Sequence, residues 1–204
     1  MGYLLTVLGA YLMGCSNMAL YVGKSKNIDL RSGGSGNLGT SNVVAMIGWG
    51  AGFLVALHDV GKAMLAVFLA RLCFPALPEI GAVAGTACVI GHVFPFYLKF
   101  QGGKGFASYI GMMLMLNWKL ALGVMVLVLL ITVITDYLAL GTAAAVLTAP
   151  ACLGLAAQSV LPVLILGIAS AVILGKHRAN YVRIFKGTEI GLRSAIKGDH
   201  RVGK

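Results

Sequence analysis

The chain has 204 residues, of which 59% are hydrophobic and 11% are charged, and its formal net charge is +10. Soluble domains carry about 25% charged residues. The composition therefore excludes a water-soluble globular protein and indicates a single membrane domain over residues 1–204. The positive charge does not indicate nucleic-acid binding, because no basic module with interleaved aromatic residues accompanies it.

Long apolar runs predict the elements of this domain. Runs without a charged residue occupy residues 1–23, 80–98, 105–118, 120–135 and 137–175. The last run has 39 residues, enough for two spans of about 20 residues each. Shorter apolar runs, 43–57 and 63–78, flank Asp59 and Lys62. We therefore predict an all-α polytopic membrane protein with about seven transmembrane helices, or five if 105–118 lies in the membrane interface.

Basic residues predict the orientation of these spans. Eight of the 16 lysines and arginines lie in residues 176–204, and Lys24, Lys26 and Arg31 follow the first run. The positive-inside rule places both regions in the cytoplasm and the N-terminus outside. We expect the first run to be a retained span, because no basic segment precedes it as in a signal peptide. The basic tail, 176–204, also suits contact with anionic lipid head groups.

The first of three polar segments is a loop rich in glycine, hydroxyl and amide groups at residues 32–42. Glycines allow backbone N–H groups to form a concave nest that binds phosphate. The groups that we expect to bind phosphate here are Ser35, Gly36, Asn37, Thr40, Ser41 and Asn42. Residues 40–42 are also placed to cap the next helix, whose N-terminus favours an anion. An ordinary capped turn is the alternative.

The second segment, 99–105, places Gly102, Gly103 and Gly105 around Lys104. Glycine N–H groups and one lysine charge suit a phosphate, although an interfacial lysine is the alternative. His92 lies inside the apolar run before it. An ionisable residue within a span is a functional hypothesis, so His92 is a candidate to position a substrate group or to act as acid or base. A buried core histidine is the alternative.

The third segment follows the last apolar run and contains His177, Arg178 and Asn180, with Glu189 further on. Basic residues there also fit a helix C-terminus or a stop-transfer signal. Asp59 and Lys62 are three residues apart and share one helical face. We expect them to form a matched internal pair that orients the site or is structural.

Three segments that form one site must lie on one face of the membrane, so an even number of crossings must separate them. Four runs separate the second segment from the third, but three separate the first from the second. One of those three must therefore be short, re-entrant or merged with a neighbour. Arg71, Pro75 and Pro78 weaken the run at 63–78 as a separate span.

The cysteines show no spacing that suggests a disulfide framework or a metal site. All four, Cys15, Cys73, Cys88 and Cys152, lie in apolar runs without paired spacing. We expect them to be small buried hydrophobic residues. We predict no metal and no cofactor.

Taken in order, the motifs resemble the bacterial integral-membrane glycerol-3-phosphate acyltransferases that use acyl phosphate, the PlsY family. The matching positions run through the whole chain: Gly34-Ser35-Gly36-Asn37, Gly39-Thr40-Ser41-Asn42-Val43, Asp59 with Lys62, Gly91-His92, Phe94-Pro95, Gly102-Gly103-Lys104-Gly105, Ala107, His177-Arg178, Asn180 and Gly187-Thr188-Glu189. Each motif alone is modest, but the ordered set is specific.

The resemblance implies transfer of a fatty acyl group from acyl phosphate to the 1-hydroxyl of glycerol 3-phosphate, at a site that faces the cytoplasm. The expected partners are these two substrates and membrane lipids, in a bacterial cytoplasmic (inner) membrane. On this interpretation the catalytic candidates are His92, Lys104 and His177. Gly102, Gly103, Lys104, Arg178, Asn180 and the 32–42 loop bind the phosphates, and Asp59, Lys62 and Glu189 support the site.

Two positions depart from the family pattern. Ala45 occupies the place of a basic residue, and Ala179 the place of an acid. Loss of a charged hydrogen bond to phosphate costs about 1.5–3 kcal/mol, which Arg178 or Lys62 could offset. These departures leave a non-catalytic paralogue as an alternative. The glycine-rich loops leave an organic-anion transporter as another, although no inverted internal repeat is evident.

Overall fold

The computed structural model describes residues 1–196, which are helices and connecting loops without a strand. Five segments of this part are long and apolar enough to cross a membrane: Gly2–Ser25, Trp49–Cys73, Ile80–Leu98, Trp118–Thr135 and Leu138–Ala157. The pair Leu161–Lys176 and Arg178–Phe185, bent by 47°, makes a sixth if it is one span. The all-α polytopic fold is confirmed, with fewer candidate spans than the seven expected.

The chain divides after Trp118 into two compact units. The helices of the first unit are α1 (Gly2–Cys15), α2 (Met18–Ser25), α3 (Thr40–Met46), α4 (Trp49–Cys73), α5 (Ile80–Val93) and α6 (Phe106–Leu116), with a 3₁₀ turn at Phe96–Leu98. Helix α5 packs against α1, α4 and α6. A side chain on Gly14 would overlap the backbone of Cys88, and one on Gly91 would overlap that of Tyr11. Small residues therefore let α1 and α5 approach closely, as is usual between helices in membranes.

One helix replaces two of the predicted runs. Helix α4 has 25 residues, passes through Asp59 and Lys62 without a break and ends before Pro75. It merges the apolar runs at 43–57 and 63–78, because a buried, paired aspartate and lysine do not interrupt a helix. Only α4 and α5 then separate the first polar segment from the second. Two candidate spans between these segments agree with the even number that the parity argument required there.

The first candidate span is broken between α1 and α2. The carbonyl oxygens freed by the break have side-chain donors: the Tyr97 hydroxyl donates to Cys15 O at 2.7 Å, and Lys62 Nζ donates to Ser16 O at 2.7 Å. The Asn17 side chain caps α2 by accepting from Leu20 N at 2.9 Å. Non-helical backbone inside a membrane is stable only when its polar groups are satisfied in this way.

The helices of the second unit are α7 (Trp118–Thr135), α8 (Leu138–Ala157), α9 (Leu161–Lys176), α10 (Arg178–Phe185) and α11 (Leu192–Ile196). Helices α8 and α9 pack together. The link between α7 and α8 holds the start of α11, since Asp136 O accepts from Leu192 N at 2.7 Å and Asp136 Oδ1 accepts from Arg193 N at 2.8 Å. The predicted basic tail, 176–204, contains α10 and α11. Its last eight residues, 197–204, lie outside the described part of the chain.

Candidate active site

Asn42 organises the 32–42 loop. Its Oδ1 accepts from Ser35 N at 2.8 Å, and its Nδ2 donates to Leu30 O at 2.8 Å and to Gly33 O at 3.4 Å. Gly34 has a φ of +58°, and a side chain there would overlap Asn42 Oδ1, so this turn needs glycine. Asn42 is 2% exposed. Its side-chain amide therefore bonds the backbone of the loop and stabilises its shape.

The other polar residues of the loop differ in exposure. Ser35, Gly36 and Ser41 are exposed. The Thr40 hydroxyl is buried and has no hydrogen-bond partner within residues 1–196. Gly39 occupies the cap position of α3, and residues 40–42 form its first turn, so the expectation that residues 40–42 cap this helix is wrong. Hydroxyl and backbone N–H groups at this edge can bind an anion.

The turn at residues 102–105 is built directly on His92. Gly103 N donates to His92 O at 3.2 Å, and Gly102 N donates to Val93 O at 3.0 Å. A Cβ on Gly103 would overlap His92 Nε2 and would lie 2.9 Å from Leu38 O. The turn is therefore pressed between His92 and the 32–42 loop.

A second contact joins these two segments, since Arg31 Nη2 donates to Gln101 O at 3.4 Å. Half-buried Lys104 follows Gly103 directly. The structure thus brings together two of the three polar segments that the sequence singled out. Arg31 was not among the predicted site residues, although its position directly before the loop was a signal for it.

A buried charged network lies on the other side of His92. Lys62 Nζ is 2.8 Å from Asp59 Oδ1 and 2.8 Å from His92 Nδ1, and it also donates to Ser16 O. Asp59, Lys62 and His92 are 2%, 7% and 3% exposed. The three protons of the Lys62 ammonium group are therefore in use. None is left for a phosphate, which argues against Lys62 as the replacement for the missing basic residue.

His58, which was not among the predicted site residues, joins this network. Its Nδ1 is 3.3 Å from Asp59 Oδ1, and its Nε2 is 2.9 Å from Ser16 Oγ. Its place directly before Asp59 was the only sequence signal for it. His58 and Ser16 extend the network from α4 to the break between α1 and α2.

The third polar segment belongs to the second unit. His177 lies buried between α9 and α10, and its Nδ1 donates to Ile173 O at 2.8 Å. Glu189 accepts from Asn180 Nδ2 at 2.6 Å and pairs with Arg183 Nε at 2.6 Å. Arg178 is exposed.

Arg183 was missed among the predicted residues. Its place three residues after Asn180 on α10, one helical turn away, was the available signal.

These observations define a multi-pass helical membrane protein in which two glycine-rich segments meet above a buried charged network. The sequence profile of the glycerol-3-phosphate acyltransferases matches residues 4–187. The chain therefore belongs to the glycerol-3-phosphate acyltransferase family.

Related proteins agree over nearly the full length of the chain. It is 35% identical to glycerol-3-phosphate acyltransferase 1 of Oceanobacillus iheyensis, over 95% of this chain and 97% of the relative. It is 34% identical to the glycerol-3-phosphate acyltransferase of Coxiella burnetii, over 93% of this chain and 97% of the relative.

The fold matches a crystal structure of PlsY, an integral membrane glycerol 3-phosphate acyltransferase in its glycerol 3-phosphate form. The TM-score is 0.89 at 29% identity, over 97% of this chain and 98% of that one. The lysophosphatidic acid form matches with a TM-score of 0.85 at 29% identity, over 94% of this chain and 95% of that one. The resemblance drawn from the motifs is confirmed.

Proposed function

We propose that this protein transfers a fatty acyl group from acyl phosphate to the 1-hydroxyl of glycerol 3-phosphate, giving lysophosphatidic acid and inorganic phosphate. Family membership and the named ligand forms of the solved relatives support this reaction. The observation that carries it is the packing of the 102–105 turn against the 32–42 loop, which joins two glycine-rich segments into one anion-binding surface.

The reaction requires no covalent intermediate on the protein. Acyl phosphate is an activated mixed anhydride, so the glycerol oxygen attacks its carbonyl carbon directly. An ester bond forms, the bond from that carbon to the phosphate oxygen breaks, and phosphate leaves with the electron pair. Positioning the two substrates and stabilising the leaving phosphate then supply the rate enhancement.

The residues divide into phosphate ligands and supports. Lys104 places a positive charge on the leaving phosphate. Gly102 and Gly103, whose N–H groups donate to Val93 O and His92 O, form the turn that presents Lys104 to this phosphate. The hydroxyl groups of Ser35, Thr40 and Ser41 and the side chain of Asn37 bind the other phosphate. Gly36 contributes to the shape of this site, because Ser35 N and Gly36 N already donate to Asn42 Oδ1 and Gly33 O. Asn42 acts by holding that loop in shape.

The second unit carries the other residues of the family pattern. Arg178 and Asn180 bind phosphate, and Glu189 keeps Asn180 and Arg183 in position. The hydroxyl proton of glycerol goes to His92, to His177 or to a substrate phosphate.

We infer that the protein lies in a bacterial cytoplasmic (inner) membrane with this site facing the cytoplasm. The support is the position of basic residues: Lys24, Lys26 and Arg31 are exposed beside the 32–42 loop. Arginines and lysines concentrate on the cytoplasmic side of membrane proteins. Cysteine labelling with a membrane-impermeant reagent tests the orientation. A Ser41→Cys variant that reacts in intact cells would refute it.

The donor assay tests the reaction. Purified protein receives radiolabelled glycerol 3-phosphate with either palmitoyl phosphate or palmitoyl-coenzyme A. We expect lysophosphatidic acid with the acyl phosphate alone. Absence of product with both donors, under conditions in which a relative is active, would refute the proposal and favour a transporter or a non-catalytic paralogue.

The role of Lys104 is tested by comparison with Lys99, an exposed lysine in the same segment. Lys104→Ala should lower kcat/KM about 100-fold or more, the scale of losing one group that stabilises developing charge. Lys99→Ala removes the same charge nearby and should change kcat/KM less than about threefold, the scale of an exposed charge. Equal losses in both variants would remove Lys104 from the site.

A further inference from the structure

The ammonium group of Lys62 has three acceptors around it in a buried position. They are the Ser16 carbonyl oxygen at 2.7 Å, Asp59 Oδ1 at 2.8 Å and His92 Nδ1 at 2.8 Å. A lysine ammonium group carries three N–H donors and no acceptor. Each proton therefore has one partner, and Asp59 balances the charge. This arrangement leaves Lys62 fully engaged inside the protein.

The contact with Lys62 determines where the imidazole of His92 carries its proton. Because the ammonium group only donates, Nδ1 of His92 must accept. A neutral imidazole has one accepting and one donating nitrogen, so Nε2 carries the proton. The competing partner of Nδ1, Asp59 Oδ1, is more distant at 3.4 Å. A proton on Nδ1 would also point at a cation 2.8 Å away.

The donating nitrogen faces the proposed site. His92 Nε2 lies against Gly103, where the absence of a side chain leaves room for it, and Leu38 O lies beside the same point. The backbone of the 102–105 turn is bonded to His92 O and Val93 O. The Nε2–H group of His92 therefore points to the place where the 102–105 turn contacts the 32–42 loop. The lone pair on Nδ1 of the same ring accepts from Lys62.

We propose that Lys62 is a positioning residue that holds His92 as its neutral Nε2–H tautomer. In this form His92 supports the turn that carries Lys104, as a hydrogen-bond donor, and does not accept the proton of the substrate hydroxyl. The role of the turn rests on the proposed acyl transfer, whereas the tautomer does not. His92 is thereby removed from the three candidate proton acceptors.

Two other histidines have the opposite arrangement and serve as internal references. Nδ1 of His58 is 3.3 Å from Asp59 Oδ1, and Nδ1 of His177 is 2.8 Å from Ile173 O. A carboxylate and a carbonyl oxygen only accept, so both Nδ1 atoms carry the proton. The neutral His177 ring therefore keeps its lone pair on Nε2, in contrast to His92.

Nitrogen-15 NMR of the full chain labelled at histidine, in detergent at neutral pH, tests the tautomer. Protonated and unprotonated ring nitrogens resonate far apart, and His92→Gln identifies the signals of His92. We expect an unprotonated Nδ1 in His92 and a protonated Nδ1 in His58. Lys62→Met should shift His92 toward a mixture of tautomers. A protonated Nδ1 of His92 in the unmodified protein would overturn the proposal, even if Lys62→Met fails to fold or no acyl transfer occurs.

Kinetics test the role. Gln at position 92 can donate from near the Nε2 position but cannot take up the proton, whereas Phe keeps a ring and has no donor. We expect His92→Gln to retain kcat/KM within about tenfold of the unmodified protein, with the loss mainly in KM, and His92→Phe to lose about tenfold more. Loss of a general base would lower kcat about 10²–10⁴-fold in both variants. Equal, large losses in kcat would overturn the proposal.

Discussion

Asn42→Ala is expected to disorder the 32–42 loop and to weaken acyl transfer. The variant leaves Leu30 O without its donor at 2.8 Å and Ser35 N without its acceptor at 2.8 Å. Leu30 is buried, so no water can replace the Asn42 amide as the donor to its carbonyl oxygen. Loss of this hydrogen bond should cost about 1–3 kcal/mol. Ser35 is exposed, so water can replace the acceptor of its N–H. Loss of this hydrogen bond should cost about 0.5–1 kcal/mol.

The sum, about 1.5–4 kcal/mol, is the free energy that glycerol 3-phosphate must supply to order the loop when it binds. It corresponds to a fall of about 10- to 900-fold in kcat/KM for glycerol 3-phosphate. Initial rates at saturating palmitoyl phosphate measure it. Asn42→Asp should be at least as damaging, because a carboxylate oxygen would then face Leu30 O.

Ser32→Ala provides the matched control, since it removes an exposed hydroxyl in the same loop that bonds Asp29 O. We expect a change of less than about threefold there, the scale of one exposed hydrogen bond. Activity of Asn42→Ala within threefold of the unmodified protein would refute the reasoning about the loop. A large loss in activity with an unchanged thermal unfolding midpoint would instead indicate direct contact of Asn42 with substrate.

Three further predictions follow from close contacts and from the family pattern. Gly103→Ala should lower kcat/KM about 5- to 150-fold, because the added methyl group overlaps His92 Nε2 and overpacking costs about 1–3 kcal/mol; unchanged kinetics would contradict the packing of the turn. Gly91→Ala should lower the free energy of unfolding by about 1–3 kcal/mol, whereas Gly61→Ala, with no atom within 4 Å of the new methyl group, should be neutral or stabilising; equal unfolding midpoints would count against the close helix contact. Ala45→Arg should lower KM for glycerol 3-phosphate about tenfold or more, by adding a charged hydrogen bond, and an unchanged KM would show that the position does not face the phosphate.

Much of the fold was predictable because each span requires about 20 apolar residues, and such a run is recognisable within a short stretch of sequence. The boundaries of α4 were harder to predict from the sequence. Asp59 and Lys62 looked like an interruption between two apolar runs, and only their burial as a pair at 2.8 Å allows one continuous helix. Parity of crossings detected that a run was wrongly divided, since it uses the whole chain rather than a window.

The two glycine-rich segments of the candidate site were also predictable, because glycine, hydroxyl and lysine motifs are short and contiguous. The buried support was not. Ser16 and His58 meet across 42 residues, and Lys62 reaches Ser16 across 46. No local pattern encodes such contacts. They depend on how α4 packs beside the break between α1 and α2.

That break has a consequence for the order of assembly in the membrane. The Cys15 and Ser16 carbonyls obtain their donors from Tyr97 and Lys62, residues synthesised much later. Until α4 and the 3₁₀ turn after α5 have entered the bilayer, opening the first span would expose those carbonyls to lipid at a cost of several kcal/mol. The nascent segment is therefore expected to insert as one continuous helix. Its division into α1 and α2 then takes place only when the later spans dock against it.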